Sequence, residues 1–293
     1  MALVDPADGY RPGDLAASLW RATLSPLMRL WYRRGLAAND FLPRPEDTSA
    51  HACGPRPARI LILGGAGPVI GWGVRRQDLA LPGQLARFLA AATGRGIDVT
   101  VVADRELALE NALTALADRD LRVDAVIVVT GAREAVTLRA PRAWRRDVRA
   151  LLRGLKAACP PSTRFLLAGT QPIRSIVAFR SAGLGGIAER HGHRLNEGMR
   201  EVCEREPRAV YTPMPAPTDS ANGRYRSPAG FRQWAEVLGP HLAEHIAAGT
   251  GTGATSRRWP GGEPDVEPRC ESIRCPGRAA DWEGDHVPAG RPD

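Results

Sequence analysis

Five short stretches of the chain, four of them containing glycine, carry charged, hydroxyl or ring side chains, and each is a place where chemistry could be done. The first is Gly64-Gly65-Ala66-Gly67-Pro68-Val69-Ile70-Gly71-Trp72-Gly73, and the second is Ala103-Asp104-Arg105-Glu106. The third is Thr130-Gly131-Ala132-Arg133-Glu134-Ala135 and the fourth Gly169-Thr170-Gln171-Pro172-Ile173-Arg174-Ser175. The fifth runs from Asn222-Gly223-Arg224-Tyr225 to Ser227-Pro228-Ala229-Gly230-Phe231. Arg133 offers a forked set of donors suited to an anion. Tyr225, with an ordinary pKa of about 10, is a poor base at neutral pH. Ser175 has Arg174 beside it and His191 in the segment that follows, so a nucleophile–base dyad is conceivable. His191 and His193 are two apart, do not share a helix face, and make a poor metal pair.

These stretches need elements that aim them. Short apolar runs alternate with helical segments from Arg59 onward. Arg59–Leu63, Asp98–Val102, Asp124–Val129, Arg164–Ala168 and Ala209–Thr212 read as strands. Helices are expected over Pro82–Ala92, Leu107–Leu116, Ala143–Ala158, Gly185–Arg205 and Pro228–Ile246. Continuous apolar strands that alternate with helices predict βαβ units: an α/β, flavodoxin-like, doubly wound, mainly parallel sheet of five strands. Ligands of such sheets bind beyond the carboxyl ends of the strands; the first four stretches follow the first four strands, and the fifth lies ahead of the last helix.

In that order and placement the stretches resemble the SGNH, or GDSL, hydrolases, over about residues 57–247. The resemblance implies ester hydrolysis on an SGNH-hydrolase-like fold. A serine would sit in a Gly-Asp-Ser turn after the first strand. Oxyanion donors would come from a glycine after the second strand and from a Gly-x-Asn-Asp motif after the third. An Asp-x-x-His motif before the last helix would supply the base.

The residues at those positions differ. The serine position falls on Gly67 or Ala66, and Glu106 stands near the place of the second-strand glycine. Gly131 matches, but Arg133 and Glu134 replace the asparagine and aspartate, and Asn222 and Tyr225 replace the last aspartate and histidine. Removing a triad serine or histidine alone costs about a millionfold in turnover in a well-studied protease. The expectation is a degenerate site: a pseudoenzyme whose cleft, lined by Arg133, Glu134 and Tyr225, binds a small anionic or ester-like ligand, with no cofactor. Two alternatives stand beside it. One is an active ester hydrolase using Ser175 and His191. The other is a Rossmann-type nucleotide-binding protein, suggested by Gly65-x-Gly67 and Asp104. There the third glycine falls late, at Gly71, Pro68 occupies the start of the helix, and Asp104 lies beyond the usual spacing.

The remaining segments bound the rest. Residues 1–55 are read as an amphipathic helix and a linker over 40–57. Asp14 is the expected N-cap, Trp20, Leu24, Leu27, Met28 and Trp31 share one face, and Pro26 is a point of kinking. That helix suits packing on its neighbour, or contact with a membrane surface or another protein. Residues 249–293, rich in Gly, Pro and charge, are expected to be a disordered tail beside a domain over 56–248. The net charge is +8, but Lys156 is the only lysine and the arginines are interleaved with acids, which argues against a nucleic-acid partner. Five cysteines fit neither a disulfide framework nor a zinc site, and the first residues carry no apolar leader. A cytoplasmic location is expected.

Overall fold

A strand covered on both faces must be apolar at every position, and Ile60, Leu61, Ile62 and Leu63 meet that condition. In the computed structural model of the chain they lie inside a six-stranded sheet. The structure describes residues 13–38, 42–65, 67–105, 107–217 and 227–248. Helix α1 (Gly13–Ala37) precedes strands β1 (Ser49–Ala52) and β2 (Ala58–Gly64), a one-turn helix α2 (Gly67–Ile70) and helix α3 (Leu81–Thr93). Strands β3 (Ile97–Ala103) and β4 (Ala125–Val129) follow, then a short helix α4 (Ala132–Val136) and helix α5 (Pro141–Ala158). Strand β5 (Arg164–Ala168), helix α6 (Ala182–Cys203) and strand β6 (Ala209–Thr212) lead to helices α7 (Pro228–Leu238) and α8 (Pro240–Ala248).

The strand order is β1-β3-β2-β4-β5-β6. The five strands expected from the sequence are parallel to one another and in the flavodoxin-like order; β1 adds to the edge, antiparallel to β3. Side chains of a strand point alternately to the two faces. Ile60 and Ile62 join Leu81, Leu85 and Leu89 of α3 and Phe231 and Trp234 of α7 in one core. Leu61 and Leu63 join Trp144, Leu151 and Leu155 of α5 and Leu195 and Met199 of α6 in the other. The sheet is thus covered on both faces, as a doubly wound fold requires.

Several boundaries differ from those read in the sequence. The linker expected over residues 40–57 contains β1, which pairs with β3 from Ser49↔Thr100 to Ala52↔Ile97. The helix expected over Leu107–Leu116 is absent. That segment is a series of turns ending in a 3₁₀ turn, Thr114–Leu116. The Asn111 Oδ1 accepts from Ala108 N at 2.7 Å, a local bond that competes with helix formation. The single helix expected over Pro228–Ile246 is two, because Pro240 has no N–H to continue the ladder of α7.

Helix α1 runs through Pro26 without interruption. Met28 is fully buried in the core under α5 and α6, with Leu24, Trp31 and Tyr32 packed against it. Phe179 holds the helix by two ring contacts: Trp31 meets it edge-on at 5.0 Å and Tyr32 stacks on it at 5.9 Å. Gly35 lets α1 approach, since a β-carbon there would lie 2.5 Å from the Phe179 ring. The face expected to be apolar is therefore divided: Trp20 and Leu27 stay exposed, together with Leu30. The Asp14 cap and the tail expected over 249–293 lie outside what is described.

Candidate functional site

The carboxyl ends of β2 and β4 lie side by side at the point where the strand order reverses, β3 lying on one side of β2 and β4 on the other. This is the crevice where open parallel sheets bind ligands. Gly67, one of the two positions expected for the nucleophile, opens α2. The ring of Trp72 lies against it: a β-carbon on residue 67 would come within 2.9 Å of Trp72 Cε3. The Arg105 guanidinium sits 5.7 Å from the centroid of the same ring. Trp72 Nε1 is buried without a hydrogen-bond partner among the described residues. The end of β2 thus carries a plug of Trp72 and Arg105 where the resemblance implies a nucleophile.

The turn after β4 is more ordered in its polar contacts. Gly131 has φ +106° and its Cα faces Thr170, whose Oγ1 would be 2.0 Å from any β-carbon there. Only glycine tolerates both conditions. The Glu134 carboxylate accepts from Gly131 N at 3.1 Å and so closes the start of α4. Burial pushes the Glu134 carboxyl above its usual range, although backbone donors and the charges of Arg133 and Arg139 act against the rise. Glu134 is therefore a buried brace for α4, and Arg133 is the residue of this helix that is half-buried at the cleft. On the other side Asn196 clamps the turn after β5: its Oδ1 accepts from Thr170 N at 2.8 Å and its Nδ2 donates to Thr170 O at 2.9 Å.

Arg133 and Glu134 share a cleft of about 570 Å³ between α1 and the segments that follow β3 and β4. One wall is a face of α1 with Ser25, Arg29, Tyr32, Arg33 and Leu36. A hydrogen bond from Ser25 Oγ to Thr137 O, 3.5 Å long, ties the walls together. The opposite wall includes Leu109, Leu138 and Arg139. Sequence reading missed the part of α1 in this cleft. The available signal was the spacing of Arg29, Arg33 and Leu36, which places them on one side of the helix.

Ser175 and His191 are held by different partners. Ser175 Oγ donates to Pro172 O at 2.5 Å and accepts from Gln171 Nε2 at 3.0 Å. His191 is buried, and its Nε2 donates to Arg139 O at 2.7 Å. That burial lowers the affinity of His191 for a proton. His193 is exposed and lies 3.6 Å from Glu189 Oε1, one helical turn away. Among the described residues no group of three or more His, Cys, Asp or Glu side chains could hold a metal. The dinucleotide reading requires a helix running on from the glycine turn; here that helix is the four residues of α2, and α3 begins only at Leu81. Asp104 is exposed at the end of β3. Ala66, Glu106, Asn222 and Tyr225 lie outside the described residues. Cys159 and Cys203 are free thiols, and burial pushes Cys203 up to about 12. Among the described residues no helix is long and apolar enough to cross a membrane.

No family model matches the sequence, and no curated protein matches it. Among solved structures, Est24, a carbohydrate acetylesterase from Sinorhizobium meliloti, aligns over 65% of this chain and 99% of its own, at 15% identity and a TM-score of 0.46. TesA aligns over 64% of this chain and 99% of its own, at 15% identity and a TM-score of 0.48. A putative lipolytic protein of the G-D-S-L family from Desulfitobacterium hafniense DCB-2 aligns over 64% and 99%, at 11% identity and a TM-score of 0.43. The strand order, and the helices on both faces of the sheet, are those of a flavodoxin-like doubly wound fold.

Proposed function

We propose that the protein is a non-catalytic binding protein on an SGNH-hydrolase-like fold, and that its ligand is a small anion held beside Arg133. One observation carries the reading: the nucleophile position falls on Gly67 or Ala66, neither of which is a nucleophile, and at Gly67 the Trp72 ring occupies the space of a side chain. Ester hydrolysis by the route the resemblance implies needs a nucleophile at that point, with a base and oxyanion donors around it. Ser175 is a poor substitute, because it gives its proton to a carbonyl oxygen and His191 gives its own Nε2 proton to another.

What a cleft without a nucleophile can still do is bind. Its volume, about 570 Å³, suits a small molecule, and Arg133 brings forked donors to it. The Glu134 brace supports the reading by fixing the helix on which Arg133 stands. A fluorophosphonate probe is expected to leave the purified protein unlabelled. Inorganic phosphate is expected to raise the melting temperature of the wild type and not of Arg133→Ala. Stable labelling, or a rise that survives Arg133→Ala, would contradict the proposal. The exposed Trp20, Leu27 and Leu30 of α1 support a further contact, with a membrane surface or another protein.

A further inference from the structure

Among the described residues, the cleft beside Arg133 is lined by more arginines than acids. Five described arginines face the described acids Glu110, Glu134 and Asp147, an excess of two positive charges among them. The internal pairing is uneven. Arg139 is bonded to both Glu110, at 2.7 Å, and Asp147. Arg146 lies 3.3 Å from Asp147. Arg29 and Arg33 form no ion pair among the described residues. They are one turn apart on α1 and face Arg133 across the cleft. The cations left over for a ligand therefore stand on the N-terminal helix.

The same walls carry apolar surface. Tyr32 and Leu36 of α1 and Leu109 and Leu138 opposite line the cleft beside the charges. A bare inorganic anion would leave this surface wet, whereas an apolar body attached to the anion would cover it. We infer that the ligand is a dianion with an apolar body, of the organic phosphate monoester class, and that α1 supplies half of its binding site through Arg29 and Arg33. This rests on the reading of the Arg133 cleft as an anion site. The phosphoryl oxygens are shared among Arg133, Arg29 and Arg33, and the organic group lies along Tyr32 and Leu36. Helix α1, which the fold resemblance leaves outside its span, is thereby part of the site.

The experiment is isothermal titration of the full chain with three probes: phenyl phosphate, inorganic phosphate and benzyl alcohol. Phenyl phosphate is expected to bind about tenfold or more tightly than inorganic phosphate, and benzyl alcohol not to bind. In Arg29→Ala/Arg33→Ala, which changes two exposed side chains, phenyl phosphate affinity is expected to fall by about tenfold with the melting temperature unchanged. Equal affinity for the two phosphates, or full affinity in the double variant, would overturn the inference. If inorganic phosphate then still bound and lost affinity in Arg133→Ala, the anion site would stand and only the part played by α1 and the organic group would fall. If neither phosphate bound the wild type, both readings would fall together.

Discussion

The ring of Trp72 lies against Gly67, so close that a β-carbon on residue 67 would be 2.9 Å from Trp72 Cε3. At Gly67, one of the two positions where the resemblance implies the nucleophile, glycine is therefore a packing requirement as well as a missing hydroxyl. Gly67→Ser should overpack the turn and cost about 1–3 kcal/mol, with no gain of fluorophosphonate labelling. In a Trp72→Ala background the same substitution should cost less, because the two residues are in contact and their effects couple. Chemical denaturation of the four proteins in the cycle measures this. Equal costs in the two backgrounds would show that Trp72 does not crowd residue 67.

Glu134 and His191 should give stability opposite dependences on pH. Burial raises the Glu134 carboxyl above 4.5 in the folded chain. The folded state then holds this proton more tightly than the unfolded state, so its contribution is complete below 4.5 and is lost as pH rises through the folded value. Glu134→Gln keeps an acceptor for Gly131 N and should flatten the decline. Burial lowers His191 below 6.5, so its contribution is present above 6.5 and is lost as pH falls through the folded value. His191→Gln keeps a donor for Arg139 O and should lessen the acid loss. Unfolding free energies between pH 4 and 9 check both, and an unchanged profile in either variant would contradict the assignment of that slope.

Helix α1 has one buried face and one bare face, and substitutions should separate them. Met28 is fully buried, so Met28→Ala should cost about 2–5 kcal/mol. Trp20→Ser, Leu27→Ser and Leu30→Ser together should leave the melting temperature within about 2 °C, since exposed positions contribute little. If this face meets a lipid surface, the triple variant should also abolish co-sedimentation with anionic vesicles. Sedimentation that persists in the variant would place the contact elsewhere.

Gly131 should be intolerant of any side chain. Its φ of +106° and the Thr170 hydroxyl 2.0 Å from a would-be β-carbon act together. Gly131→Ala should destabilise by about 1–3 kcal/mol from backbone strain alone, and should disturb Arg133 by moving the start of α4. A melting temperature equal to that of wild type would contradict the close approach.

The parallel strands were legible because burial on both faces leaves an unbroken apolar signature, as in Ile60–Leu63 and Ala125–Val129. Strand β1 carried no such signature: Ser-Ala-His-Ala is short and half exposed at a sheet edge, and only its pairing with β3 defines it. The helix expected at Leu107–Leu116 had the right apolar spacing, but Leu107 and Leu109 are buried as parts of turns, which spacing alone cannot distinguish. The placement of Arg133 and Glu134 just after β4 was legible. Their different roles were not, because whether a carboxylate turns inward to Gly131 N depends on the φ of that glycine. The contributions of Trp72 and α1 depend on approaches between segments distant in sequence, such as Gly35 on Phe179.

The proposed function requires that the fold work here without ester hydrolysis. Turnover of short p-nitrophenyl esters by the purified full chain, wild type beside Ser175→Ala, tests it most directly. Both proteins are expected to release p-nitrophenol at the rate of the protein-free buffer. Turnover by the wild type that disappears in Ser175→Ala would contradict it, and would show that a nucleophile operates from the end of β5 instead of β2.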